Sequence, residues 1–175
     1  VYSMPPQKNS SDKVHVDAST QVTFDTLVGE NDSLKVSIQQ AKAAILYPPR
    51  GLHTIIFGET GTGKSMFAEC MYHFAIDSEM LSKDAPFVSF NCADYAQNPQ
   101  LLFGHIFGIK KGAYTGATQD SQGLIAKANG GILFLDEIHR LPPEGQEMLF
   151  TFIDKGVYRP LGESAHVHEA SVQII

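Results

Sequence analysis

The octapeptide Gly58-Glu59-Thr60-Gly61-Thr62-Gly63-Lys64-Ser65 constrains this chain more than any other stretch. It fills the pattern G-x-x-x-x-G-K-[ST] without a mismatch, and its flanks are the ones that pattern requires. Upstream, His53 to Phe57 is a short apolar, β-rich run, which predicts a buried parallel strand. Downstream, Met66, Cys70 and Phe74 recur every four residues beside Phe67 and Met71, which predicts a helix with an apolar stripe. Strand, glycine loop and helix N-terminus together make an anion cradle. Glycines let backbone N–H groups turn inward, and the helix dipole adds positive potential. Lys64 can then reach the β- and γ-phosphates of a nucleotide, and the Ser65 hydroxyl can bind Mg²⁺. A glycine-rich turn before an ordinary helix is the plainer alternative; the motif's length and context weigh against it.

A length of 175 residues leaves room for one domain with a proper core, plus a tail. The net charge of -6 argues against this chain gripping DNA by itself, because phosphate contacts need a basic surface. Cys70 and Cys92 stand far apart without C-x-x-C spacing, and Cys70 lies on the apolar stripe, so it reads as core filling. The histidines lack metal-ligand partners at useful spacing and read as surface or packing residues. No apolar run reaches the length of a membrane span, and no signal-peptide core stands at the N-terminus. A reduced cytoplasm and no membrane contact are the expectation.

Residues 1–23 read as a linker or tail, rich in Ser, Pro, Lys and Asp, and residues 24–175 as the domain. Ser33 is placed to cap a helix towards Leu46, with Leu34, Ile38, Ala41 and Ile45 on one face and Pro48-Pro49 ending it. Phe87 to Phe90 reads as a second strand, which with the P-loop unit implies a crossover and a parallel sheet. Leu101 to Phe107 is apolar and of uncertain type, and Gly108 to Thr118 is a glycine-rich loop. Leu124 to Asn129 reads as a short helix stopped by Gly130-Gly131. Ile132 to Leu135 is the most apolar run and ends in Asp136-Glu137. Pro142-Pro143 then opens a helix that buries Met148, Leu149 and Phe152, and Ser171 to Ile175 begins a strand.

Two carboxylates at the C-terminal end of a buried strand lie beside the P-loop if the two strands are neighbours, because ligands of open parallel sheets bind at that end. Asp136 would help hold Mg²⁺, and Glu137 would polarise an attacking water. An acidic pair can also simply cap the following helix, but the P-loop favours the metal-and-base reading. Asn91 ends the second strand in the same way. Its amide could reach Glu137, or it could hold its own backbone as a turn-former.

These residues resemble a specific family. Gly58 to Ser65, Ile132 to Glu137 and above all Gly112-Ala113-Tyr114-Thr115-Gly116-Ala117 resemble the AAA+ domain of bacterial sigma-54-dependent transcription activators. The hexapeptide GAYTGA is similar to that family's GAFTGA signature, with Tyr114 in place of Phe. The stretches AKAAILYPPRGLHT and LDEIHRLPPEGQEMLF are similar to its levanase-operon-regulator-like subgroup. The resemblance implies an α/β, three-layer P-loop NTPase (AAA+) core with a parallel sheet, ending before the sensor I region, the arginine fingers and the helical lid. It implies that Gly58 to Ser65 form Walker A, that Asp136 and Glu137 form Walker B, and that Asn91 pairs with Glu137 as a nucleotide-sensing switch. It places Val28 and Gly29 at the start of an adenine pocket and Gly112 to Ala117 at the tip of a sigma-54-touching loop. Lys155 to Ser164 would form a second loop supporting the first. ATP and Mg²⁺ are the implied cofactors, and sigma-54 RNA polymerase is the implied partner. The resemblance further implies a ring, expected to be a hexamer, DNA contact through a separate N-terminal domain, and regulation by phosphotransferase-system proteins.

Two other readings compete with an ATPase that remodels the polymerase closed complex. One is a nucleotide-holding, sigma-binding module without turnover; the other is a P-loop small-molecule kinase with Glu137 activating a substrate hydroxyl. The glycine loop at residues 112–117 argues against the kinase, which has no use for such a tip. Tyr114 at that tip is expected to be an exposed aromatic anchor.

Overall fold

The computed structural model describes residues 21–27, 29 and 32–175; the expected tail up to Thr20 and the adenine-pocket residue Val28 lie outside them. In chain order the elements are α1 (Lys35–Leu46), α2 (Lys64–Asp77), β1 (Phe87–Asn91), α3 (Pro99–Phe107), α4 (Leu124–Lys127), β2 (Ile132–Asp136), α5 (Pro143–Lys155), β3 (Val157–Tyr158), β4 (His168–Glu169) and β5 (Gln173–Ile174). Short 3₁₀ turns lie at Phe24–Thr26, Cys92–Tyr95 and Ile138–Arg140. The uncertain segment before Phe107 is helical, with Asn98 accepting from Leu101 N–H as its N-cap and Pro99 in its first turn.

Strands β1, β2 and β5 form a parallel sheet in that order, with Phe87 opposite Ile132 and Asn91 opposite Asp136. Alternation along β2 builds the three layers. Ile132 and Phe134 enter a core with α1, α2 and Phe24, while Leu133 and Leu135 enter a second core with α3, α4 and α5. Cys70 and Cys92 are both buried in these cores, one in each. Burial, together with the Glu69 charge, pushes the Cys70 thiol up to about 11. Burial, then the Asp136 charge, pushes Cys92 up to about 12. Both are protonated core residues at neutral pH.

Several expectations need correction. His53 to Phe57 is not a strand: its one backbone bond to the sheet runs from Thr54 N–H to the Ile174 carbonyl, 3.0 Å. The Ile174 N–H is taken by His53 Nδ1, also at 3.0 Å, instead of by a backbone carbonyl. An imidazole in place of a backbone carbonyl interrupts any ladder at that point, and Ile55 and Phe57 are exposed. The acidic strand β2 therefore does not adjoin the P-loop run, because β5 stands between them. Ser33 does not cap α1. Leu34 takes the cap position, its N–H bonding the Gly29 carbonyl at 3.0 Å, while Ser33 Oγ would lie 2.8 Å from any Cβ on Gly29. The segment read as a second loop includes β3, which pairs antiparallel with β4, Tyr158 opposite His168.

Candidate functional site

The P-loop closes on its own lysine. Lys64 Nζ donates to the Gly58 and Glu59 carbonyls, each at 2.9 Å, and Thr62 Oγ1 donates to the Glu59 carbonyl at 2.7 Å. Gly61 and Gly63 adopt φ of +82° and +85°, a left-handed backbone that glycine reaches without a Cβ penalty. No side chain caps α2, whose N-cap is Gly63. Among the described residues, no acceptor takes the N–H groups of Lys64 and Ser65. Uncapped N–H groups, the positive end of a 14-residue helix and a lysine form an anion site of the required kind.

Asp136 and Glu137 lie at the carboxyl end of β2, the same end to which the P-loop run leads from Thr54. Asp136 Oδ1 accepts the Glu137 N–H at 2.9 Å, leaving Oδ2 without a partner among the described residues. That hard oxygen and the exposed Ser65 hydroxyl fit a Mg²⁺ ion, which takes few protein ligands and keeps its other positions for water and phosphate. Glu137 has φ +52°, a left-handed conformation costing about 1–2 kcal/mol in a residue with a Cβ. Its mostly buried carboxylate lies 3.4 Å from His139 Nε2, an approach the sequence did not suggest. Asn91 Oδ1 accepts from Ala93 N–H at 2.9 Å and no Asn91 bond to Glu137 exists here, so the side chain holds its own backbone. Asn91 is nonetheless level with Asp136 in the ladder.

The loop at residues 112–117 is folded by bonds from Gly112 N–H to Ala117 O and from Ala117 N–H to Tyr114 O. Tyr114 is half-buried in this arrangement rather than fully exposed as expected; Thr115 and Gly116 hold the exposed tip. The loop's base is clasped. Ile109 and Ser121 exchange backbone bonds, Lys110 Nζ meets Asp120 Oδ2 at 3.1 Å, and Lys111 N–H donates to Asp120 Oδ1 at 2.8 Å. Those donors hold the Asp120 carboxyl below its usual range, the Lys111 N–H chief among them. The second loop fits against the first: Lys110 N–H bonds Leu161 O, and a Cβ on Gly162 would lie 2.7 Å from Ala113 Cβ. Glu163 closes the second loop by accepting from Ala165 and His166 N–H groups, which hold its carboxyl low. A lone aspartate ten residues after the lysine was the sequence's only trace of this clasp.

A three-layer parallel α/β sandwich with a P-loop opening α2 and an acidic pair ending β2 defines an AAA+ module of the P-loop NTPase class. The solved structure of NtrX from Brucella abortus shares the fold, with a TM-score of 0.65 at 23% identity over 85% of this chain and 30% of that one. The chain belongs to the Sigma-54 interaction domain family, whose model matches residues 27–175. The transcriptional regulatory protein LevR of Bacillus subtilis (strain 168) is 59% identical over 152 residues, covering 87% of this chain. DagR of Salmonella typhimurium (strain 14028s / SGSC 2262) is 48% identical over the same length and share. The chain spans 16% of the length of each of these two regulators. No helix among the described residues is long and apolar enough to cross a membrane.

Proposed function

We propose that this chain is the ATP-binding and ATP-hydrolysing module of a transcription activator that contacts sigma-54 and remodels the polymerase closed complex. The uncapped N-terminus of α2, with Lys64 seated in the glycine loop, carries the reading. Gly58 to Ser65 wrap the phosphates, with Glu59, Thr60, Gly61, Thr62 and Gly63 supplying backbone N–H groups, and Lys64 moves from the Gly58 and Glu59 carbonyls onto the phosphates. Val28 and Gly29 border the base. Ser65 and Asp136 hold Mg²⁺, which when bound neutralises phosphate charge. Glu137 takes up the proton of the attacking water.

Gly112, Ala113, Tyr114, Thr115, Gly116 and Ala117 present the sigma-54 contact, and the Leu161–Gly162 stretch supports them from behind. In the complete protein the module assembles into a ring in the cytoplasm, with DNA contact and phosphotransferase control supplied by other domains. A nucleotide-holding module without turnover is the second reading. It is favoured by the absence of an Asn91–Glu137 hydrogen bond, since the switch then has no bond to act through.

A thermal-shift titration tests nucleotide binding. ATP with Mg²⁺ should raise the melting temperature by mass action, about 2.7 kcal/mol at a hundredfold excess over Kd. Lys64→Ala should remove most of the shift; an equal shift in that variant would move the nucleotide elsewhere and sink the reading.

A further inference from the structure

We propose a second anion site, for a small organic phosphate monoester, at the end of the sheet opposite the P-loop. A cleft of about 450 Å³ opens where Ser82 approaches β1, Gly131 enters β2, Ser171 enters β5 and α5 ends at Lys155. That volume is typical of small-ligand sites. The nucleotide site proposed above lies at the carboxyl ends of the strands, so the two cannot share a ligand.

The chemistry of the lining is one-sided. Arg50, Lys155 and His53 line the cleft, and among the described residues no carboxylate does, on a chain whose net charge is -6. Asp154 and Glu169 are neighbours in sequence but are not part of the wall. Among the described residues, neither Arg50 nor Lys155 is within salt-bridge reach of any carboxylate. His53 is a donor here too. Its Nδ1 accepts the Ile174 N–H, so in the neutral ring the proton sits on Nε2. The Ser82 and Ser171 hydroxyls complete a donor set with two fixed positive charges.

Two positive charges match a phosphate monoester dianion better than a single carboxylate, and its three terminal oxygens can use the Arg50 fork and the Lys155 ammonium together. Met80, Leu81, Ile153 and Val172 add apolar wall beside Gln173 and the glycine backbones, and suit the carbon part of such a ligand. Lys155 also stands in the last turn of α5, where a lysine offsets the helix dipole, but that role gives no account of Arg50 and His53 across the cleft.

The test is a titration of the ¹⁵N-labelled chain carrying Lys64→Ala, so that the P-loop does not report. The probes are glycerol 2-phosphate, inorganic phosphate and glycerol, and amide shifts locate the binding. Glycerol 2-phosphate should give saturable shifts at Gly130, Gly131, Gly156 and Ser171. Inorganic phosphate should bind the same amides more weakly, and glycerol not at all. Arg50→Gln and Lys155→Gln, both at exposed positions, should each weaken binding about tenfold or more, the worth of one charge-assisted hydrogen bond. An unaltered spectrum outside the cleft shows that these variants fold. Shifts confined to the P-loop, shifts equally strong with glycerol, inorganic phosphate binding as tightly as the ester, or binding indifferent to both substitutions would each overturn the proposal. The nucleotide reading is tested separately by the ATP thermal shift of the unsubstituted chain, so failure here is separable from failure there.

Discussion

Asn91 and Asp136 are partners in the parallel ladder of β1 and β2, yet the Asn91 oxygen turns away to the Ala93 N–H, 2.9 Å distant. The oxygen caps the turn at Cys92–Tyr95, so the proposed switch role would have to use the NH₂, and the two roles can be separated by substitution. Asn91→Asp keeps the acceptor and removes the NH₂, while Asn91→Ala removes both. Asn91→Ala should cost about 0.5–2 kcal/mol of stability through the lost cap, and Asn91→Asp far less. In the complete activator both should disturb hydrolysis and its coupling to sigma-54 with ATP affinity nearly unchanged. Wild-type kinetics in Asn91→Asp would leave Asn91 as a turn residue only.

Glu137 combines a left-handed backbone with a mostly buried carboxylate, a strained arrangement of the sort found at functional sites. Glu137→Gln preserves shape and removes the basic oxygen. The complete protein carrying it should bind ATP as before and lose hydrolysis by about 10²–10⁴-fold, the usual worth of a positioned base. Single-turnover kinetics beside ATP binding checks this, and a rate within a few-fold of wild type would exclude Glu137 as the base.

Much of this was legible from residue pattern, and the exceptions share a cause. The P-loop, α2 and β2 were visible because each is long enough, or apolar enough, to show a period or a run. The pair β3 and β4 was not, because two-residue strands have no period, and their pairing joins Val157 to Glu169 and Tyr158 to His168 across a loop. His53 to Phe57 had the composition of a strand, but the His53 ring and not a backbone carbonyl takes the Ile174 N–H, which no residue pattern shows. Ser33 had the right type for a cap, but the turn bonding Leu34 N–H to the Gly29 carbonyl puts Leu34 at the cap position. Tyr114 shows the limit for sites, since a sequence names a loop residue without fixing how far its side chain is buried.

His105 packs 4.3 Å from the Tyr95 ring, with Phe90 beside it, and burial, then the Lys127 charge, hold its pKa below the ordinary 6.5. Above pH 6.5 both folded and unfolded forms are neutral and nothing is lost. As pH falls below 6.5 the unfolded chain takes up a proton that the folded chain refuses, so stability declines until the folded pKa is reached. His53 is lowered too, by desolvation, and acts in the same direction. Replacing His105 by Phe should flatten part of the slope of melting temperature against pH between about 6.5 and 5. An unchanged slope would mean that His105 titrates normally.

The pairing of Gly162 with Ala113 turns the loop proposal into a test of geometry as well as of contact. Gly162 has φ +80°, and a Cβ there would lie 2.7 Å from Ala113 Cβ, so Gly162→Ala must shift one loop against the other. Nothing in that change touches the P-loop. In the complete activator it should leave ATP binding intact and weaken capture of sigma-54. Tyr114 tests the contact itself. Half-burial gives the ring support from its own domain, and a supported aromatic makes a better anchor than a free one, because less motion is frozen on binding. Tyr114→Ala should therefore cost at least about 2 kcal/mol of sigma-54 affinity, roughly thirtyfold, with hydrolysis retained. Tyr114→Phe should bind nearly as wild type, because the ring and not the hydroxyl makes the anchor. Pull-down of sigma-54, with ATP turnover measured on the same samples, separates the cases. If Tyr114→Ala captures sigma-54 fully while Gly162→Ala does not, the contact lies on the second loop, and the first only holds it in place.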